Sequence, residues 1–368
     1  MKKMRNFVWT ALCLLATCGA FVACDDDDND DWLDDSGSKV ELPGRRAYIL
    51  YEGTMGGDNS GLAFYAPDGN ADFIRDIYQY QNGKKLGDTG LAMAEEDDYI
   101  YVVVSGSKYI AKLNAAGVEQ CRHTFEDTPR HVDVENGYVY VTQYGGRVSK
   151  LDRNTLDEVD AYEGDDTCLE GIVECGGRLY VANTYRYDDT GAIVYNEEVW
   201  VLNAATMELE SRIPVAKNPE LLWEDEDKIF LISRDVYDPS TWEKTTRNQL
   251  QIIDPYKNNS VTKVTEATKL AEGDDGLLYL VDTDTDNSFF TYNVNTGQVG
   301  HSFLNNAPDE LSSEVIYLLE VDDETGDIYI GTSDYVSEGT IYRFDRYGTF
   351  KEKFSAGGIN PNSMLFID

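Results

Sequence analysis

One short apolar strand with a central aromatic, written seven times, constrains this chain more than any other feature. It reads A-Y-I-L-Y from Ala47, Y-I-Y-V-V-V from Tyr99, Y-V-Y-V-T from Tyr138 and R-L-Y-V-A from Arg178. It returns as K-I-F-L-I from Lys228, L-L-Y-L-V from Leu277 and D-I-Y-I-G from Asp327. The aromatics Tyr101, Tyr140, Tyr180, Phe230, Tyr279 and Tyr329 are 39 to 50 residues apart. A period of that length marks a repeat architecture whose units stack on one another. A second strand follows each copy and ends on a turn-forming residue: Asn114, Asp152, Asn203, Asp254, Asn293 and Asp345. Asn and Asp favour such positions because their side chains bond the backbone two residues on.

An apolar strand and an acidic turn precede each copy, so a unit is four short antiparallel strands, the pattern of a propeller blade. No stretch has strong helical periodicity. Six units are complete, and the N-terminal one lacks its innermost strand. The C-terminus supplies it, N-P-N-S-M-L-F-I after Gly358. The expectation is an all-β, seven-bladed β-propeller over residues 46–368, with four-stranded blades and the two chain ends sharing one blade. That closure removes exposed sheet edges. A β-sandwich or a two-domain chain would not explain the split unit.

The first residues are basic, an apolar run follows from Phe7, and F-V-A-C ends at Cys24. The run is too short to span a bilayer and ends in small residues, as a secretory signal does. Residues 1–23 are thus expected to be removed. The last four resemble a bacterial lipobox, with Phe21 in the place of the usual Leu, which makes Cys24 the lipidation site. The segment 24–45 opens D-D-D-D-N-D-D and reads as a flexible acidic tether. Losing Lys2, Lys3 and Arg5 leaves 28 basic against 68 acidic residues, a formal charge of −40. A field of that sign repels phosphate backbones and argues against nucleic-acid partners. Cys121, Cys168 and Cys175 are expected as unpaired thiols, because Cys168 and Cys175 stand at opposite ends of one strand.

In a propeller the loops between second and third strands share a face with the starts of the innermost strands. On that face the fourth and fifth units carry long loops, from Asn183 and from Ser233. They gather Tyr185, Tyr187, Tyr195, Tyr237 and Trp242, joined by Tyr144, Tyr335, Arg130, Arg186 and Arg234. Broad aromatic surface with polar tips suits binding. Arg130, Tyr144, Tyr185, Tyr187, Arg234, Tyr237, Trp242 and Tyr335 are therefore the candidate ligand residues. Chemistry has less support. His123, His131 and His301 lack metal-ligand spacing, and no nucleophile elbow or phosphate loop occurs. Asp282 to Asn287 has the alternating oxygens of half a calcium loop without its Gly and distal Glu. No catalytic residue, metal or cofactor is expected.

The stretches L-Y-E-G-T-M-G-G-D-N-S-G-L-A-F-Y from Leu50 and P-R-H-V-D-V-E-N-G-Y-V-Y-V-T-Q-Y-G-G-R from Pro129 resemble a Bacteroidetes family of surface-exposed, seven-bladed propeller lipoproteins, YncE-like in the broad sense. Tyr51 and Thr54 depart from the family's opening motif. An acidic run after the lipidated Cys resembles that group's surface-export signal. The resemblance implies an outer-membrane, lipid-anchored protein, as in BtuG-like members that bind corrinoids, vitamin B12 and its relatives. It further implies a TonB-dependent transporter as partner, with the membrane met only through the lipid. The same aromatic rim suits a glycan or a siderophore, and a metal-dependent lactonase or lyase propeller is the enzymatic alternative.

Overall fold

A computed structural model describes residues 33–225, 227–284 and 286–368. The signal segment, Cys24 and the start of the tether lie outside the described residues. Seven sheets form the ring. Six are four-stranded meanders whose innermost strands are Gly90–Glu96, Pro129–Glu135, Cys168–Cys175, Pro219–Asp225, Lys269–Gly273 and Val315–Val321. These are blades two to seven. Blade one joins Pro361–Ile367 to Arg46–Tyr51 and Gly61–Tyr65, with Ile49 opposite Met364. The two chain ends therefore share a blade, as the repeat predicts. The fourth strand of that blade is reduced to one bridge, between Phe64 and Ile74. Its place is taken by a short helix, Ile77–Asn82, capped by Asp76 and packed through Ile77 and Tyr78.

The buried side chains fall into seven clusters, each between two neighbouring blades. In blade two, Ile100, Val102 and Val104 pack toward blade one, while Tyr101 and Val103 pack toward blade three. A central strand is thus apolar on both faces, which explains a repeat that reads as a continuous apolar run and not as an alternation. The predicted turns form as expected. Asp152 Oδ1 accepts from the amides of Asn154 and Thr155 at 2.8 and 3.0 Å, and Asn114 Oδ1 accepts from Ala116 and Val118. Cys121, Cys168 and Cys175 are free thiols.

The chain from Leu33 to Gly44, expected within the tether, is packed on the propeller. Leu33, Val40 and Leu42 join the cluster between blades one and two. Asp35 pairs with the buried Arg46 at 2.6 Å, and Asn114 Nδ2 donates to the Ser36 carbonyl at 3.0 Å. Three apolar residues, the half-buried Asp35–Arg46 pair and hydrogen bonds to Gln81 hold a segment whose composition is otherwise polar.

Candidate functional site

A cavity of about 800 Å³ runs along the propeller axis and is lined by the innermost strands of all seven blades. One irregularity shapes its mouth. In six blades the innermost strand carries one extra residue near its start. Pro129 pairs with Gln143 and Val132 with Val141; likewise Ile316 pairs with Thr332 and Leu318 with Gly331. Equivalent shifts occur at Gly90/Ala92, Leu169/Ile172, Pro219/Leu221 and in blade one. A bulge of this kind bends the strand and re-aims the side chain it frees. The residues within the bulges, among them Arg130, Glu170, Glu220, Tyr317 and Asn362, all line the cavity. Blade six has no bulge, and its first strand residue, Lys269, fills the same level. Gly171 is required here: a Cβ would stand 2.6 Å from the Glu220 carbonyl oxygen.

Donors and acceptors are paired around this collar. Arg130 Nε donates to both oxygens of Glu170, at 3.1 and 2.9 Å, and its guanidinium lies over the Tyr144 ring. Tyr144 OH donates to Glu170 Oε1 at 2.9 Å and receives Tyr185 OH at 3.3 Å. Arg234 Nε donates to Glu220 Oε1 at 3.0 Å and Nη1 to the Thr268 carbonyl at 3.1 Å. Tyr317 OH and Asn362 Nδ2 donate to the two oxygens of Glu52, at 2.8 and 3.2 Å. Burial pushes the carboxyls of Glu52 and Glu170 upward against these partners. Burial, then the Arg130 charge, push His131 down to about 4, so it is neutral at physiological pH.

The other end of the cavity is acidic. Burial pushes Asp133 up to about 7 and Glu272 and Glu320 up to about 8, with neighbouring carboxylates adding to the effect on Asp133 and Glu272. Glu272 Oε1 is a buried oxygen without a hydrogen-bond partner among the described residues. A set of atoms close enough to share a metal lies on that side, Cys175 Sγ with the carboxylates of Glu224 and Asp227. Burial pushes the Cys175 thiol up to about 12.

The structure divides the candidate residues into three groups. Arg130, Arg234 and Tyr335 line the cavity, with Tyr335 edge-on to Tyr317 at 5.9 Å. Tyr144 and Tyr185 stand behind Glu170 and hold it. Tyr187, Tyr237 and Trp242 are exposed on hairpins at the rim, outside the cavity lining. Trp242 is 77% exposed and closes its hairpin in a left-handed conformation (φ +58°), its amide donating to the Asp238 carbonyl at 2.8 Å, the same turn that Leu156 and Met207 make elsewhere in the ring. Tyr195 pairs across the hairpin with Tyr185. Asp282 and Asp284, in the suspected half calcium loop, receive Arg247 at 3.3 and 3.0 Å, and Asp284 also pairs with Lys244. Those carboxylates tie blade six to the hairpin of blade five. Glu52, Glu170, Glu220, Lys269, Tyr317 and Asn362 were not among the sequence candidates. For all but Glu52, which follows the strand Arg46–Tyr51, the signal is a polar or aromatic residue within the first three places of an innermost strand.

No family model and no curated protein matches this chain. Solved structures do. A quinonprotein alcohol dehydrogenase-like protein from Bacteroides thetaiotaomicron superposes with a TM-score of 0.65 at 14% identity, over 87% of this chain and 78% of its own. Apo AztD from Citrobacter koseri gives 0.56 at 11%, over 88% and 98%. Hydrazine synthase from Kuenenia stuttgartiensis gives 0.54 at 14%, over 70% and 76%. At these identities the likeness is one of fold. This chain is a seven-bladed β-propeller.

Proposed function

We propose that this propeller captures a small molecule at the funnel mouth, and that the ligand is a corrinoid. The observation that carries the reading is the collar, in which the cations Arg130, Arg234 and Lys269 and the carboxylates Glu52, Glu170 and Glu220 are interspersed around a cavity of about 800 Å³. That volume is in the range of small-molecule sites, roughly 300–1,000 Å³. A primary amide needs a donor and an acceptor side by side, and a macrocycle fringed with amides presents several such needs around a circle. The exposed Tyr187, Tyr237, Trp242 and Tyr335 supply apolar area for the ring itself. We further propose that Cys24 anchors the protein to the outer membrane, facing outward, and that a TonB-dependent transporter receives the ligand. The YncE-like resemblance supports both, and the reading is of a binding protein and not an enzyme.

Calorimetric titration of the purified protein with cyanocobalamin, haem, ferric siderophores and oligosaccharides tests it. Corrinoid binding at micromolar concentration or below is expected. Silence toward corrinoids with heat from an oligosaccharide would move the reading to a glycan, for which the flat rim of Trp242 and Tyr237 is the favourable feature.

A further inference from the structure

The collar's hydrogen-bonding capacity is not evenly spent. Both oxygens of Glu52 are taken by Tyr317 and Asn362, both oxygens of Glu170 by Arg130 and Tyr144, and Glu220 holds Arg234. The carboxylates are thus largely occupied from within the protein. The cations are not. Lys269 lines the cavity, yet among the described residues its Nζ makes no hydrogen bond and no ion pair; its contact there is the face of Tyr317, with the ring centroid 5.4 Å away. Arg234 stands beside it, since Nη1 reaches the carbonyl of Thr268, the residue before Lys269. Its Nη2 makes no hydrogen bond to the described residues.

We infer that Lys269 and Arg234 form an oxyanion site at the funnel mouth, which takes a phosphate or carboxylate group of the captured ligand. The Lys269 ammonium and the outer Arg234 guanidinium nitrogen belong to two residues that line one cavity from adjacent blades, and an oxyanion is the group that can use them together. The opposite end of the cavity, with Asp133, Glu272 and Glu320, presents carboxyl groups and offers an anion no competing site. The inference rests on the ligand-capture reading but not on the corrinoid assignment.

The charged and titratable groups facing Lys269 are Arg234 and Glu220 from blade five, Glu52 from blade one and Tyr317 from blade seven. Burial, then the Arg234 charge, push the Lys269 amine down to about 7, with Glu220 and Glu52 opposing. An arriving oxyanion therefore restores a proton that the empty site holds weakly, and its affinity depends on pH.

Sulfate is a suitable probe because it does not itself titrate in this range. Calorimetric titration of the full chain is expected to give saturable one-to-one binding, weaker by at least about fivefold at pH 8.5 than at pH 6.0 as Lys269 loses its proton. Lys269→Met should weaken it about tenfold or more and flatten the pH dependence. Lys269→Arg should bind sulfate with a smaller pH dependence than the parent, because a guanidinium stays charged, and its binding also shows that the altered site is folded. Exposed Lys353→Met should bind as the parent does. Methyl phosphate and acetate, titrated in parallel, separate a phosphate-bearing from a carboxylate-bearing ligand. Absence of saturable sulfate binding to the folded parent at tens of millimolar, or binding that Lys269→Met leaves unchanged, overturns the inference. Cyanocobalamin binding without sulfate binding overturns it and spares the corrinoid reading. The converse result spares it and removes the corrinoid.

Discussion

Arg130 on blade three and Glu170 on blade four form a two-point contact, Nε to both carboxylate oxygens at 3.1 and 2.9 Å, across the boundary between two repeats. Glu170 is 5% exposed, so its charge depends on that guanidinium and on Tyr144. Breaking one side of a buried pair costs roughly 3–5 kcal/mol when the remaining charge stays unpaired. Here Glu170 can escape by taking up a proton, since burial already pushes it upward. Arg130→Met is therefore expected to destabilise by about 2–3 kcal/mol at pH 7.5 and by clearly less at pH 5.5. Urea denaturation at the two pH values measures the difference.

The acidic end of the cavity sets a second pH dependence. Asp133, Glu272 and Glu320 are raised to about 7, 8 and 8 from ordinary values near 4. Between those limits the folded chain binds more protons than the unfolded one, so stability falls as pH rises. His131, lowered to about 4, acts in the opposite sense below its ordinary value, and Lys269 does so above pH 7. Three groups outweigh one between pH 5.5 and 7. The melting temperature is expected to drop by a few degrees across that interval, and Glu272→Gln should remove part of the drop. A flat or rising profile would contradict the burial of these carboxyls.

Ring closure makes a third expectation. Removing residues 360–368 strips the innermost strand, Pro361–Ile367, from blade one, exposes the edge of Arg46–Tyr51, and breaks the 2.6 Å bond that the Ser333 hydroxyl donates to Asn360 Oδ1. Deletion of residues 360–368 should cost several kcal/mol, a large part of the stability of an ordinary domain. An unchanged thermal melt would contradict the shared blade.

The segment that looked like tether gives a fourth. Arg46 is 1% exposed and donates to Asp35, the Ala115 carbonyl at 3.1 Å and the Pro43 carbonyl at 2.8 Å. Asp35→Ala leaves that guanidinium with neutral carbonyls alone, and a loss of about 1–3 kcal/mol is expected. The same substitution in a free tether would be silent, so one denaturation curve decides between them.

The fold was legible because packing between blades demands it. A central strand such as Tyr99–Val104 touches a neighbour on each side, and the sequence must then be apolar throughout, at a fixed period. The collar was harder to read. Most blades contribute one or two polar residues, 40 or more positions apart, and in all of those but blade six a bulge re-aims the strand that carries them. Arg130 stood out as an arginine on the face of the long loops, but Glu170, Glu220 and Lys269 look like ordinary polar residues at a strand start. The long loops drew attention to Tyr237 and Trp242, which their hairpin carries outward to the rim. The packing of Leu33 to Gly44 escaped because three spaced apolar residues make no period.

The separation of lining from rim turns into the sharpest test of the ligand. Arg234 and Tyr335 line the cavity, whereas Trp242 stands on the blade-five hairpin with 77% of its surface free. A ligand small enough to sit within the collar touches the first two and not the third. A corrinoid held across the mouth, as proposed, would meet all of them. Truncation of a central contact to Ala should cost at least about 2 kcal/mol, about a thirtyfold loss of affinity, where it is a hot spot. For a corrinoid, Arg234→Ala, Tyr335→Ala and Trp242→Ala are each expected to reach that size. For a small ligand held by the collar, Trp242→Ala should bind as the parent does. The turn residue Asp152, on the opposite face, serves as the control, since Asp152→Asn keeps the turn and touches neither site. Calorimetry on these four variants, each confirmed folded by circular dichroism, separates the two cases. A corrinoid whose affinity is indifferent to all three truncations would place its site away from this funnel altogether.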